Sequence, residues 1–401
     1  MSSPSLEEFE ERFLKLYRRD KEAALAVLTL IESAPEALEV MAADLDHERE
    51  HPEDYITNLE ERQRLFSKIR PFLPKTVEVN ATVMAIFMVL PLLQMQSLAD
   101  KLAEYDPLSE EDVARYSASS TYRSLEHGLK YAVEAIASFL GKSTKLLKTP
   151  SPMTTPDSGQ PGFEGGQSAS PTDHHVSPSL PDDANSYRSY PAGRYDTAVG
   201  RTEARDGYKC VLTETEDPLA TRIFPRSASP ATNRARYIAK LVSLWGDEKA
   251  DAWMRQSSSL SVTESPRNLL CMTRQHGLWW RMCRLALRPM RTSDPCTIKV
   301  QLHWLRRADT TPDTPLSGSM SDLSLLCGVG ENGAENDFQS WRKQPVAYRK
   351  SGLPLRTGQI FTIRAEDPAD LPSFDLLDMR WNLQRIAVMS GAVDPEDGAQ
   401  E

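Results

Sequence analysis

The sequence predicts an α+β fold in three segments: an N-terminal all-helical domain, a disordered linker, and a C-terminal domain of short strands and helices. In residues 1–147, apolar side chains recur at helical spacing and prolines separate the stretches. Residues 148–200 are rich in Pro, Ser and Gly, a composition typical of disorder. Residues 201–396 mix β-branched runs with amphipathic helical stretches.

Composition and charge narrow the class of protein. The chain has 401 residues and a net charge of -10, with 26% charged and 40% hydrophobic residues, which is typical of a globular protein of more than one domain. Its five cysteines include no C-x-x-C pair, so we expect reduced thiols rather than a zinc ribbon or a disulfide framework. The acidic N-terminus differs from a secretory signal, which predicts an intracellular protein of the nucleus or cytoplasm.

The most apolar stretch of the helical domain runs from Asn80 to Met95. Its uninterrupted apolar part is shorter than the ~20 residues that a bilayer requires, because Pro91 and Gln94 interrupt it. We therefore expect no membrane contact. The stretch predicts either a buried core helix or a helix through which the domain forms a homo-oligomer.

Strand-like runs characterise the C-terminal segment. CVLTE at 210–214 and ATRIFP at 220–225 flank an acidic turn, which predicts a hairpin. Beyond a helical insert, the apolar positions of 268–280 recur at helical steps and predict a helix with one buried face. Alternation at 297–307 predicts a strand with His303 on its polar face. A strand and turn at 358–368 and a helix at 371–391 complete the prediction.

Several motifs follow one another in this segment: RDGYKCVLT at 205–213, IFP at 223–225, NLLCMTRQHGLWW at 268–280, LALRP at 285–289 and KVQLHWL at 299–305. Together with the run at 358–393, they resemble the HNH nuclease-like (ββα-metal) family, in the variant found in many fungal proteins. The resemblance covers most of residues 201–396. It implies a ββα core, in which a hairpin and a helix present side chains into one cleft.

The resemblance also implies roles for individual residues. In active members of the family, a His on the second strand is the general base, an Asn orients the site, and a last His on the helix binds one divalent metal, Mg or Mn. By position, these catalytic roles fall to Arg222, Asn268 and His276, and His276 is the implied metal ligand.

Two departures from the family pattern bear on cleavage. Arg222 stays protonated at physiological pH and cannot take a proton from water, and the preceding Thr221 is a poor ligand for a hard cation. Counted from Trp280, the family's last His is expected at Gly277. That position is one residue beyond His276 and about 100° away around a helix.

Three functions therefore remain open from the sequence. The favoured one is a catalytically degenerate nuclease-like domain that binds nucleic acid or another partner. The second is a metal-dependent endonuclease, in which His276 and a carboxylate hold the metal and another group supplies the base. The third is a protein-interaction scaffold that dimerises through the helical domain.

Charge is distributed unevenly along the chain. Residues 201–310 hold 19 Lys and Arg against 11 Asp and Glu, a net charge of +8 within an acidic protein. Such a region suits DNA or RNA as a partner, although solvated charge on a helix face explains the same count. The residues predicted to contact nucleic acid are Arg222, Arg226, Arg274 and Arg281, with Arg234 and Arg236 of the helical insert as further candidates for phosphate contact.

Overall fold

The computed structural model describes most of the chain between residues 58 and 393. The described residues are 11, 13–15, 17–18, 20–22, 24–25, 58–141, 192–225, 235–305, 307–308, 310–319, 321–322, 326 and 347–393, with 192–196 described for the backbone alone. The predictions for residues 148–191, Arg226 and Arg234 lie outside these ranges.

Residues 58–141 fold into helices, as predicted. Asn80, Ser109 and Ser119 each accept a backbone N–H bond at a helix start, which satisfies a donor that the helix itself leaves unpaired. The helices are α1 (Leu59–Ile69), α2 (Ala81–Val89), α3 (Leu92–Leu102), α4 (Glu110–Ser117), α5 (Ser120–Lys130) and α6 (Ala132–Leu140).

The apolar stretch from Asn80 to Met95 forms α2 and the first turn of α3, on which Leu93 is exposed, so the interpretation as a core helix is confirmed for residues 81–89. All nine residues of α2 are buried within their own chain, so α2 offers no surface to a second copy, and the homo-oligomer stays a prediction. Arg62 donates hydrogen bonds to the carbonyls of Phe87 and Leu90, where the chain breaks before α3. Among the described residues, no single helix is long and apolar enough to span a membrane; α2 and α3 reach that length and hydropathy only together, with a 109° bend between them.

The rest of the described chain mixes strands and helices, so the α+β class is confirmed. Its helices are α7 (Ala192–Arg205), α8 (Ala235–Val242), α9 (Asp247–Ser258), α10 (Leu260–Thr263), α11 (Arg274–Arg281) and α12 (Phe374–Met389). Its strands are β1 (Leu219–Arg222), β2 (Leu269–Met272), β3 (Leu285–Met290), β4 (Thr297–Trp304) and β5 (Ile360–Arg364). β1 and β2 form one antiparallel sheet, and β3, β4 and β5 form another in that order.

The predicted hairpin is wrong in one strand, and the predicted helix at 268–280 is wrong in its first part. Residues 211–213 form a turn, and β1 pairs with β2 across the whole helical insert. All four residues of β2 are buried. A short run that is apolar on every side has no alternation, so periodicity cannot separate such a strand from a buried helix.

The predicted linker is also too long at its C-terminal end, because α7 already begins at Ala192. The helix is anchored by a buried ion pair between Arg205 and Asp206. Arg205 donates to the carbonyls of Pro266, Leu269 and Asp370, while Asp206 accepts the backbone N–H of Cys271. These bonds fix the end of α7 against β2 and against the short turn Pro368–Asp370.

His303 is buried, contrary to the prediction that it lies on a polar strand face. It is 6% exposed, its ring centroid lies 4.6 Å from that of Trp381 on α12, and its Nε2 lies 2.9 Å from Oε1 of Gln301. The alternation rule failed because both faces of β4 are covered. Burial, with the nearby guanidinium groups of Arg385 and Arg288, lowers the pKa of His303 to about 3.

Helix α12 joins the parts of the fold. It packs against β3, α2, α6 and α9, and apolar residues from both sides of the predicted linker belong to one continuous core. Its buried Arg380 donates to the carbonyl of Ile223 at 2.6 Å and to that of Trp280 at 2.7 Å, and its guanidinium lies 4.2 Å from the Trp280 ring centroid. One side chain is thereby hydrogen-bonded both to Ile223, which follows β1, and to the last turn of α11.

Arg380→Ala should lower the free energy of unfolding by about 3 kcal/mol or more, because two buried carbonyls lose a charged donor. Urea denaturation of the full chain measures the change. The matched control is Arg255→Ala on the exposed side of α9, which should change stability by no more than about 0.5 kcal/mol. Equal effects of the two substitutions would show that the buried bonds do not hold the fold.

His303 should make the fold sensitive to acid. The folded chain keeps the ring neutral down to about pH 3, whereas the unfolded chain takes up a proton below about pH 6.5, so stability is present above that pH and is lost as the pH falls. Between pH 6.5 and 5.0 the native chain should lose about 2 kcal/mol more than His303→Gln, as measured by urea denaturation. The control is His127→Gln on the exposed face of α5. Its free energy of unfolding should fall by the same amount as that of the native chain over this pH range.

Candidate functional site

Strands β1 and β2 and helix α11 form the unit that carries the predicted site residues. Thr221 pairs with Leu270 and Arg222 with Leu269 in the antiparallel register. Thr273 separates β2 from α11, and its Oγ1 accepts the backbone N–H of His276 at 3.1 Å, which starts the helix. Because one residue makes this turn, α11 folds back against β1 and β2.

Gly277 of α11 lies close to Thr221 of β1. A Cβ placed on Gly277 would lie 2.9 Å from Oγ1 of Thr221. This distance is shorter than ordinary van der Waals contact, so the helix lies this close to the strand because position 277 has no side chain. The two positions where the sequence departs from the HNH pattern, apart from Arg222, therefore face each other.

The side chain of Arg222 is held within the protein. Nη1 donates to the carbonyl of Thr263 at 2.7 Å, and Nη2 forms an ion pair with Glu264 at 2.9 Å. Both charged side chains are mostly buried. The main-chain carbonyl of Arg222 also accepts the indole N–H of Trp280 at 3.0 Å. Arg222 thus connects β1 to the insert and to α11.

Asn268 is fully buried and connects the segment after β1 to the end of α10. Its Oδ1 accepts the N–H of Phe224 at 2.6 Å, and its Nδ2 donates to the carbonyls of Phe224 and Thr263. With all three bonds made to main chain, the side chain fixes the segment that follows β1. No polar atom of Asn268 faces solvent, so its role in this structure is positioning.

His276 lies at the inner side of α11 and is 5% exposed. Its Nδ1 lies 2.6 Å from Oγ1 of Thr273, and its ring meets that of Trp279 edge to face at 5.3 Å. Nε2 is buried and has no hydrogen-bond partner among the described residues. Burial lowers the pKa of His276 to about 4, so the ring is neutral at pH 7. In the tautomer that carries its hydrogen on Nδ1, Nε2 has a lone pair for a cation.

The predicted cations lie apart from these buried groups. Arg274 and Arg281 are exposed on α11, and because seven residues make nearly two turns they project from one side of the helix. The structure therefore brings Arg222, Asn268 and His276 onto one unit and leaves two arginines on its outer surface. Two residues of the unit were not predicted from the sequence, because neither belongs to a local motif. They are Glu264, which pairs with the charge of Arg222, and Arg380, which bonds the end of β1 to α11.

A divalent metal does not fit this arrangement well. Among the described residues, no three His, Cys, Asp or Glu side chains lie close enough together to hold a metal ion. His276 supplies one unpartnered nitrogen, while Thr221 and Gly277 offer no strong ligand. A protein site for Mg or Mn normally combines carboxylate and other oxygen ligands, so the donor set is incomplete.

Comparison with known proteins adds no family or fold. No protein-family model, curated protein or solved structure matches the chain. The features that bear on function are therefore the contacts within the β1, β2 and α11 unit and the charges around it.

Gly277→Ala should lower stability by about 1 kcal/mol, because the added methyl group meets Thr221. In a Thr221→Ala background the same change should be neutral or stabilising, since Oγ1 is gone and Ala favours a helix. Gly200→Ala in α7 is the matched control, since a Cβ there meets nothing within 4 Å; it should stabilise the chain by up to about 1 kcal/mol. Urea denaturation of the four variants measures the coupling, and a coupling of zero would contradict the close contact.

Proposed function

We propose that this chain binds nucleic acid through an HNH nuclease-like ββα unit that has lost the chemistry of cleavage. The observation that carries the proposal is the contact between Thr221 and Gly277. In members of the HNH family that the sequence resembles, these two positions hold a metal ligand and the last His. Here position 221 carries a hydroxyl and position 277 carries no side chain, and the helix lies directly against the strand.

The position of the general base supports the same conclusion. A base needs a neutral nitrogen or a carboxylate near a water molecule. Arg222 supplies a cation whose donors are used by Glu264 and Thr263. The side chain stabilises the unit and takes no proton. A phosphate contact by Arg222, as expected from the sequence, would require displacement of the Glu264 carboxylate.

Binding is supported by the cations that remain on the surface. Arg274 and Arg281 are exposed on α11, within a region whose net charge is +8 between residues 201 and 310. Arginine pairs with phosphate oxygens through two parallel N–H bonds, and each neutralised phosphate releases condensed counterions. A DNA or RNA backbone is therefore the partner that this face fits.

A second candidate function is metal-dependent cleavage, and the unpartnered Nε2 of His276 is the observation that favours it. A buried ring nitrogen without a partner is costly, and a bound cation would satisfy it. The candidate is weaker, because one nitrogen is an incomplete ligand set and Arg222 provides no base.

The test combines nicking and binding of supercoiled plasmid by the full chain in Mg²⁺ or Mn²⁺. We expect the native chain to bind without nicking. Arg274→Gln/Arg281→Gln should weaken duplex binding and lower the slope of log K against log salt by about 1.8, since each lost phosphate contact changes the slope by about 0.9. The control, Lys101→Gln/Arg255→Gln, removes two exposed charges from α3 and α9 and should bind as the native chain does.

The lost chemistry is tested by restoring the general base alone in Arg222→His. This variant should not nick, because Thr221 and Gly277 still leave a metal without its ligands; metal-dependent nicking by Arg222→His would contradict the loss of the metal site. Native nicking that His276→Ala abolishes would support the enzyme and overturn the proposal. A native chain that neither binds nor nicks would favour the scaffold.

A further inference from the structure

A second basic surface lies away from the ββα unit, where the helical insert meets the N-terminal helices. It consists of two tyrosines and three cations: Lys130, Tyr131, Arg236, Tyr237 and Lys240. We call it the tyrosine patch. Lys130 ends α5, Tyr131 joins α5 to α6, and the other three lie on α8. Since α8 packs on both α5 and α6, helices distant in sequence form the patch together.

The two rings are close and carry cations on their faces. The ring centroids of Tyr131 and Tyr237 lie 5.4 Å apart at an interplanar angle of 36°. Lys240 Nζ lies 4.1 Å from the Tyr131 centroid, and the Arg236 guanidinium lies 4.9 Å from the Tyr237 centroid. Lys130 Nζ is 5.7 Å from the Tyr131 centroid. Both rings are partly exposed, so the patch faces solvent.

Within the part of the chain that the structure describes, no carboxylate forms an ion pair with the cations of the patch. Some other basic side chains on the described surface do pair with acidic ones, as Arg115 does with Asp112 and Lys249 with Asp378. Lys130, Arg236 and Lys240 instead contact the two rings, and Arg236 Nη2 also donates to the Tyr237 hydroxyl at 3.0 Å. Cation–π contacts orient a cation but leave its charge available to an anion.

We propose that the tyrosine patch binds single-stranded nucleic acid. Proteins hold single strands without reading sequence by combining aromatic faces, on which bases stack, with lysine and arginine side chains that attract phosphates. In this patch Lys240 and Arg236 lie over the rings, so a base would stack once these side chains turn to the phosphates. A duplex keeps its bases stacked on each other, so it offers such rings little to contact. The proposal concerns a different surface from α11 and does not depend on the function proposed for the ββα unit.

The patch is tested with the full chain and a fluorescein-labelled 20-nucleotide oligothymidylate, by fluorescence anisotropy over a salt series. Arg236→Gln/Lys240→Gln should weaken binding by about 10-fold or more and lower the slope of log K against log salt by about 1.4, since each single-strand phosphate contact contributes about 0.7. Lys101→Gln/Arg255→Gln, with the same loss of charge at other exposed helical positions, should bind as the native chain does.

Stacking is tested separately with an abasic strand of the same length. The native chain should bind oligothymidylate about 10-fold more tightly than the abasic strand, because stacking requires bases. Tyr237→Leu, which keeps an apolar side chain, should remove this preference and leave abasic binding unchanged. Loss of binding to both strands would indicate damage to the fold and would contradict a stacking role.

The outcomes separate this inference from the proposed function. If Arg274→Gln/Arg281→Gln weakens duplex binding while the patch variants bind the single strand normally, the patch inference is wrong and the ββα proposal stands. If the patch variants lose single-strand binding and the native chain does not bind duplex, the patch inference stands and the ββα proposal is wrong. A native chain that binds neither oligothymidylate nor a long RNA single strand overturns the patch inference, and so does an Arg274→Gln/Arg281→Gln variant that binds a duplex of the same length as tightly as the single strand.

Discussion

The Arg380 guanidinium is the contact on which the position of the candidate site depends. A cation in the core is stable only when its donors meet acceptors, and here the acceptors are the carbonyls of Ile223 and Trp280. One belongs to the end of β1 and the other to α11, so helix and strand keep their relative position while α12 remains in place. Since α12 also packs on β3 and α2, the ββα unit is fixed to the rest of the protein.

Most polar groups of the same unit are used by the fold itself. A hydrolytic site needs polar groups that are aimed at the substrate and at the charge that develops in the transition state. In this chain Arg222 is paired with Glu264, Asn268 is bonded to main chain on all sides, and Gly277 lies directly on Thr221. Each contact stabilises the fold, and a group that makes such a contact is not available for catalysis. His276 is the exception in this set, with one buried nitrogen unpartnered among the described residues.

Much of the fold follows from local sequence, and the failures have physical causes. Periodicity located β4, β5 and α12, because each is long enough to repeat its pattern. It failed for β2, where four consecutive buried residues show no period, and for His303, where a helix covers the face that alternation assigns to solvent. In the site, Arg222 and Asn268 were located by motif order. The Glu264 partner was not, because pairing across the helical insert leaves no local signal.

The shared core limits how the chain is divided. Because α8 lies against α5 and α6, and α12 lies against α2, the apolar side chains on either side of residues 142–191 cover one another. A protein cut within that stretch would present two core surfaces to water, and such surfaces associate with each other or with other chains. We therefore expect the two halves to unfold together, so that a ligand held at either surface would stabilise both.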